Sequence, residues 1–203
     1  MKNFKKLISA SLTGLSLLSA PIFANEYSTK GSYITGSVGA SAIGDIDVTG
    51  VNSDIEFDTG LGLDIGYGYD FGKTRIEGTW VRGQSDKTSW LGFTVKAKSI
   101  MNSIMGSIYY DFREDKQWSP FIGASLGSTN VDFDGDTASG FSYGIAYGLS
   151  YKTSDKTELF FKGQTIVTPE LTFATVNNST VTLSNGNFTN GIIGLRVRFW
   201  LLN

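Results

Sequence analysis

The sequence predicts an all-β fold: a closed, eight-stranded antiparallel up-and-down barrel that crosses a membrane on its strands. Three observations carry this. Large apolar residues alternate with small or polar ones at every second position, as in Leu61 to Gly72, "LGLDIGYGYDFG", and a period of two puts successive side chains on opposite faces of a strand. Such segments number eight, an even count, and short and long connections alternate between them, as in membrane barrels with tight turns at one rim and larger loops at the other. After the first residues no segment is apolar for eighteen positions, so no helix is a candidate to span a bilayer.

In chain order, "MKNFKKLISASLTGLSLLSAPIFA" reads as a secretory signal peptide over residues 1–24. Lys2, Lys5 and Lys6 form its charged region, Leu7 to Leu18 its short apolar region, and Ala24 the small residue at cleavage. The mature chain is then one barrel domain over residues 25–203. Its strands are expected at residues 32–41, 59–71, 74–83, 97–112, 120–129, 140–152, 157–167 and 188–199. Gly72-Lys73 fits a two-residue hairpin with glycine at its first central position. Short turns recur around Glu114-Asp115 and Ser154-Asp155. The connections 42–58, 84–96, 130–139 and 168–187 are long.

The two faces of the strands distinguish a membrane wall from a soluble core. In the second strand Leu61, Leu63, Ile65, Tyr67, Tyr69 and Phe71 oppose Gly62, Asp64, Gly66, Gly68, Asp70 and Gly72. An eight-stranded barrel has an interior just wide enough for side chains, so the large face would overfill it. The large residues therefore face lipid and the small ones the lumen. Phe71, Phe112, Tyr151 and Phe199 end alternate strands on the apolar face and form an expected aromatic girdle, with Trp80 higher on the same surface. Asp64, Asp70, Arg75, Glu77, Asp111, Glu158, Lys162, Arg196 and Arg198 share inward parity and form an expected lumen charge network. Across the Gly72-Lys73 turn, Asp70 should face Arg75 and pair with it. The network reads as a paired plug or as an ion pathway, and small barrels favour the plug.

Composition excludes several activities. There is no Cys and no His, which removes disulfides, thiolate metal sites and every imidazole mechanism. No catalytic residue is assigned and no cofactor is expected. Without Lys2, Lys5 and Lys6 the 17 basic residues fall to 14 against 19 acidic ones, a net charge of −5, which argues against nucleic acid as a partner. Asp132, Asp134 and Asp136 alternate in "DFDGDTASG" and are a weak Ca²⁺ candidate. Gly135 and Tyr143 stand where an EF-hand does not place them, and a solvated acidic loop is the better reading.

The chain resembles the small eight-stranded outer-membrane barrels of the OmpA/OmpX-like type. The resemblance covers residues 31–199 and rests on "GSYITGSVGAS", "LGLDIGYGYDFG", "SIYYDFRED" with "WSPFIGASLG", "FSYGIAYGLSYKTSD" and "GIIGLRVRF". It implies a monomer in the outer membrane of a Gram-negative bacterium, with outer-membrane lipids and the barrel-assembly machinery as partners. A non-enzymatic role in envelope structure or surface interaction follows, through loops such as the last, with Thr175, Asn177, Asn178, Ser179 and Thr180. A narrow channel for small solutes is an alternative, and a soluble periplasmic barrel holding a lipid-like ligand is another.

Overall fold

The computed structural model describes residues 30–43, 46–48, 54–57, 59–85, 88–90, 93–95, 99–113, 116–133, 136–173 and 182–199. The segment expected to be a signal peptide and the turn residues Glu114-Asp115 lie outside them. Among the described residues every regular element is a strand: β1 (Gly31–Ile43), β2 (Ile46–Val48), β3 (Asp54–Phe57), β4 (Gly60–Asp70), β5 (Thr74–Ser85), β6 (Thr88–Trp90), β7 (Phe93–Val95), β8 (Ser99–Asp111), β9 (Trp118–Phe133), β10 (Asp136–Lys152), β11 (Thr157–Phe173) and β12 (Thr182–Phe199).

The eight long strands pair with their neighbours in chain order, and β1 also pairs with β12, which closes the barrel. Closure leaves no unpaired edge in the wall. Following cross-strand partners once around from Ser32 passes Tyr69, Ile76, Ile108, Ala124, Ile145, Thr165 and Thr189. It returns to β1 at Ala42, a displacement from position 32 to 42 of ten residues. That stagger tilts the strands by about 40°. The ten steps from Phe71 to Leu61 then rise about 25 Å, the height of the apolar band of a membrane barrel.

Alternation in the sequence maps directly onto the two faces. Ile65 is 61% exposed and Ile104 70%, whereas Asp64 is 2% and Arg75 0% exposed. Tyr67 and Phe71 point outward. An exposed apolar exterior around a buried charged interior is the reverse of a soluble barrel, and lipid is the medium that suits it.

The small inward face has a packing cause. A Cβ on Gly68 would lie 2.4 Å from the Tyr33 ring, on Gly148 2.4 Å from Phe121, on Gly194 2.4 Å from Phe160 and on Gly83 2.3 Å from Phe188. Lumen rings lie on glycines of other strands, adjacent ones for Tyr33, Phe121 and Phe160 and one across the lumen for Phe188, so large and small residues interdigitate inside the wall. At the β4–β5 turn, Gly72 takes φ 110°. Phe71 N donates to Thr74 O at 2.9 Å, which fixes the expected two-residue hairpin.

Four strands run further than expected. Much of the expected connection 130–139 belongs to β9 and β10, and much of 168–187 to β11 and β12. Apolar alternation stops where the outer face leaves lipid, but the backbone ladder continues. The register shifts between Ser139 and Tyr143 on β10, opposite Thr172 and Val167 on β11. That β11 segment contains Pro169, which has no N–H to give the ladder. The connections 42–58 and 84–96 contain the short strands β2, β3, β6 and β7, with β2 pairing onto β12 at Leu183 and Ser184.

Gly123 tests the interdigitated packing. Its Cβ would lie 2.3 Å from the Tyr109 ring and 3.0 Å from Ile108 O. Gly123→Val is expected to destabilise the barrel by about 1–3 kcal/mol, read as a lower urea midpoint for unfolding from lipid vesicles. An unchanged midpoint would show that the rings do not depend on the glycines.

Candidate functional site: a packed, charged lumen

The interior is layered from the short-turn rim upward. At that rim Arg75 meets Asp111 with both prongs, Nε to Oδ2 at 2.5 Å and Nη2 to Oδ1 at 3.1 Å. On the other side Glu158 is held between two arginines: Arg196 Nη1 donates to Oε1, and Arg198 Nη2 donates to Oε2 at 2.6 Å. Arg198 also donates to Asp70 Oδ2 at 3.1 Å, while Asp70 Oδ1 accepts the Gly72 N–H at 2.8 Å. The expected Asp70–Arg75 pair does not form. The two residues are register partners, but hairpin register fixes only the backbone. In a narrow lumen the side chains reach past their own ladder, Asp70 to β12 and Arg75 to β8.

Aromatic rings cover these cations. Arg75 lies over Tyr109 at 4.8 Å and Phe121 at 5.2 Å, and Arg196 over Tyr33 at 5.1 Å and Phe160 at 5.5 Å. Such contacts strengthen when water is excluded. Higher up, Lys162 Nζ on β11 meets Asp64 Oδ2 on β4 at 2.9 Å. Three ladder steps separate those strands, so the pair ties one side of the wall to the other. Glu77 Oε1 accepts the Thr79 hydroxyl at 2.8 Å.

Toward the opposite rim the filling becomes apolar. Val81, Met101, Met105, Val131, Ala138, Ile166, Leu171 and Phe188 form one buried cluster. Beside it the hydroxyls of Ser103, Thr129, Ser142 and Thr168 bond in sequence at 2.8, 2.7 and 2.7 Å across four strands. Two cavities lie at the charged levels, each of about 10 Å³, about the size that holds one water. Asp70, Asp111, Lys152 and Glu158 line the first, and Glu77 and Lys162 the second.

All nine charged residues expected in the lumen are buried. Lys152 is a tenth, not anticipated from sequence, although it continues the inward parity of Gly148 and Ser150. The lumen rings Tyr33, Tyr109, Phe121, Phe160 and Phe188 also went unassigned, because only the register shows the glycine each one covers. Among the described residues the buried charges are five carboxylates (Asp64, Asp70, Glu77, Asp111, Glu158) and five cations (Arg75, Lys152, Lys162, Arg196, Arg198). The interior is therefore formally neutral.

On the outside, Phe71, Phe112 and Phe199 are exposed and Tyr151 half-buried, all at the short-turn rim. Tyr69 packs at a tilt against Phe71 at 4.7 Å, Tyr110 edge-on against Phe112 at 5.3 Å and Trp118 at a tilt against Tyr151 at 4.5 Å. Trp118 opens β9 two residues before the expected start of that strand. Trp80 lies well above this belt, on the same face, between register partners Ile65 and Ile104. Asp132 is half-buried on the outer face. Asp134 and the side chain of Asp136 lie outside the described residues, as do Thr175, Asn177, Asn178, Ser179 and Thr180. Among the described residues no three acidic side chains gather at metal-binding distance.

A closed barrel with a lipid-compatible exterior and a packed interior is an integral membrane protein that crosses on strands. Comparison with known proteins gives the family. The sequence model of the outer membrane protein beta-barrel domain matches residues 10–199. The chain belongs to that family and resides in the bacterial outer membrane. No curated protein sequence matches it. Among solved structures it is similar to Neisserial surface protein A, with 17% identity over 83% of this chain and 97% of that one, at a TM-score of 0.64. It is also similar to OprG of Pseudomonas aeruginosa, with 13% identity over 88% and 100% of the two chains, at 0.60. These likenesses show the fold. The outer membrane protease OmpT of Escherichia coli, 8% identical over 90% of this chain and 99% of that one at a TM-score of 0.48, is too remote to argue for an activity.

The Asp64–Lys162 tie makes a signed prediction. Asp64→Leu leaves Lys162 buried without its carboxylate and is expected to cost about 3–5 kcal/mol, whereas Asp64→Leu with Lys162→Met costs much less. Unfolding midpoints in vesicles measure both. A double variant as unstable as the single one would mean that the pair does not bridge the lumen.

Proposed function

We propose that this protein is a non-enzymatic, monomeric membrane anchor whose barrel holds surface-exposed segments outside the cell and conducts no solute. The observation that carries this reading is the filled and charge-balanced lumen. Its charged half is locked by ion pairs, its other half is an apolar core, and the two cavities at the charged levels are each about the size of one water. A solute path would require several of these contacts to open together. The closed wall needs no second copy to complete it.

The display half of the reading rests on the long strands. β9 to β12 have 16 to 18 residues, against 11 to 13 in β1, β4, β5 and β8. About five extra residues at that tilt rise about 13 Å. One side of the barrel thus carries a four-stranded sheet beyond the apolar band, extended at its edge by β2. The short-turn rim is then periplasmic, and the aromatic belt around Phe71, Phe112, Trp118, Tyr151 and Phe199 marks that interface. The lack of His supports the non-enzymatic part.

Purified protein in a planar bilayer is expected to show no discrete openings. Openings abolished by replacing Arg196 and Arg198 would establish an ion pathway and end the anchor reading. An epitope inserted among residues 174–181 is expected to bind antibody on intact cells while heat-modifiable gel mobility is kept. Labelling only after cell disruption would reverse the assigned sidedness.

A further inference from the structure

The outer wall carries one charged side chain within its apolar band, and nothing above gives it a role. Among the described residues, Arg82 on β5 is the sole charge on the outward face between the short-turn rim and the level of Asp132 and Glu170. It follows Trp80 by one outward position, and its register partners are Leu63 on β4 and Asn102 on β8. Arg82 Nη1 donates to Asn102 Oδ1 at 3.3 Å. Asn130, the exposed register partner of Asn102, extends the polar row onto β9. Immediately below this row are the exposed Trp80 and Ile104. Leu63 is only half-buried between the exposed Leu61 and Ile65, as an arginine stem lying across it would cause.

We infer that Arg82, braced by Asn102, is a binding site for a phosphate group of an outer-leaflet glycolipid. The height is right. The row lies at the top of the apolar band, on the side away from the short turns, where headgroups of the outer leaflet begin. The chemistry is right as well. A guanidinium presents five donors in a planar fork that matches phosphate oxygens two at a time. One prong is fixed on Asn102, which leaves further N–H donors of the fork for a ligand. Trp80 beneath places an amphipathic ring at the boundary of the acyl chains, where such rings prefer to lie. Ordinary snorkelling would bring Arg82 to the same height without selectivity for phosphate, and that difference decides the test.

The full barrel is reconstituted in phosphatidylcholine vesicles containing lipid A with both phosphates, or lipid A with the phosphates removed. Its unfolding temperature is followed by heat-modifiable gel mobility, and a third arm adds inorganic phosphate to phosphatidylcholine vesicles alone. The phosphorylated lipid is expected to raise the unfolding temperature relative to the dephosphorylated one, and free phosphate to leave it unchanged. The increment is expected to be lost in Arg82→Gln and partly kept in Arg82→Lys, which retains charge without the fork. Equal increments in wild type and Arg82→Gln, or no difference between the two lipids, would overturn the site. A rise with free phosphate alone would exclude a lipid-specific site.

Discussion

Closure governs this molecule. Eight strands returning to β1 with a displacement of ten residues fix an interior that must be filled by its own side chains and by little else. Every inward residue is then a neighbour of several others, whatever its distance along the chain. Large rings enter where another strand offers glycine, and charges can enter only in compensating numbers. An uncompensated charge in such an enclosure would cost several kcal/mol. The five carboxylates and five cations are therefore a consequence of enclosure as much as a feature of function.

The same constraint explains where the strongest contacts fall. The seam between β1 and β12 joins the two ends of the described wall, and its pairs are separated by most of the sequence. Contacts so far apart in sequence carry the largest closure entropy. Around this seam the ion pairs concentrate. Glu158 on β11 grips Arg196 and Arg198 on β12, Arg198 reaches past β1 to Asp70 on β4, and Arg196 lies over Tyr33 of β1. Four strands are thus clamped at the rim where the tight turns hold the chain. Asp70 extends the clamp into a turn, because its second oxygen accepts the Gly72 N–H.

Much of the wall was legible in the sequence because two different media lie on its two faces. Leu61 through Gly72 alternates cleanly, and both its strand and its lipid face follow from parity alone. Parity also placed nine lumen charges inside. It did not supply their partners. Asp70 faces Arg75 across the ladder and yet bonds Arg198, a residue 128 positions away, and no hairpin rule contains that information. Lys152 was readable in principle, since it continues the parity of Ser150, but at a strand end a lysine also reads as a solvated turn residue. The apolar half of the plug was hidden for another reason. Met101, Met105 and Ile166 share the inward parity of Asp111 and Lys162, but as apolar residues they do not stand out against the lipid face of the same strands.

The limit of that legibility is itself informative about function. Alternation reports a difference between two environments, so it fades where both faces of a strand meet water. β9 to β12 go on hydrogen bonding through Asn130 and Ser139, and through Thr168 and Gly186, where the sequence has already lost its period. A strand without alternation is therefore a strand that has left the bilayer. Inside the bilayer both faces are committed, one to lipid and one to the crowded lumen. Beyond it the outer face meets water, while inward residues such as Val131, Ala138 and Leu171 still pack in the apolar plug. That freedom of the outer face alone is why the extended strands leave so little pattern to read.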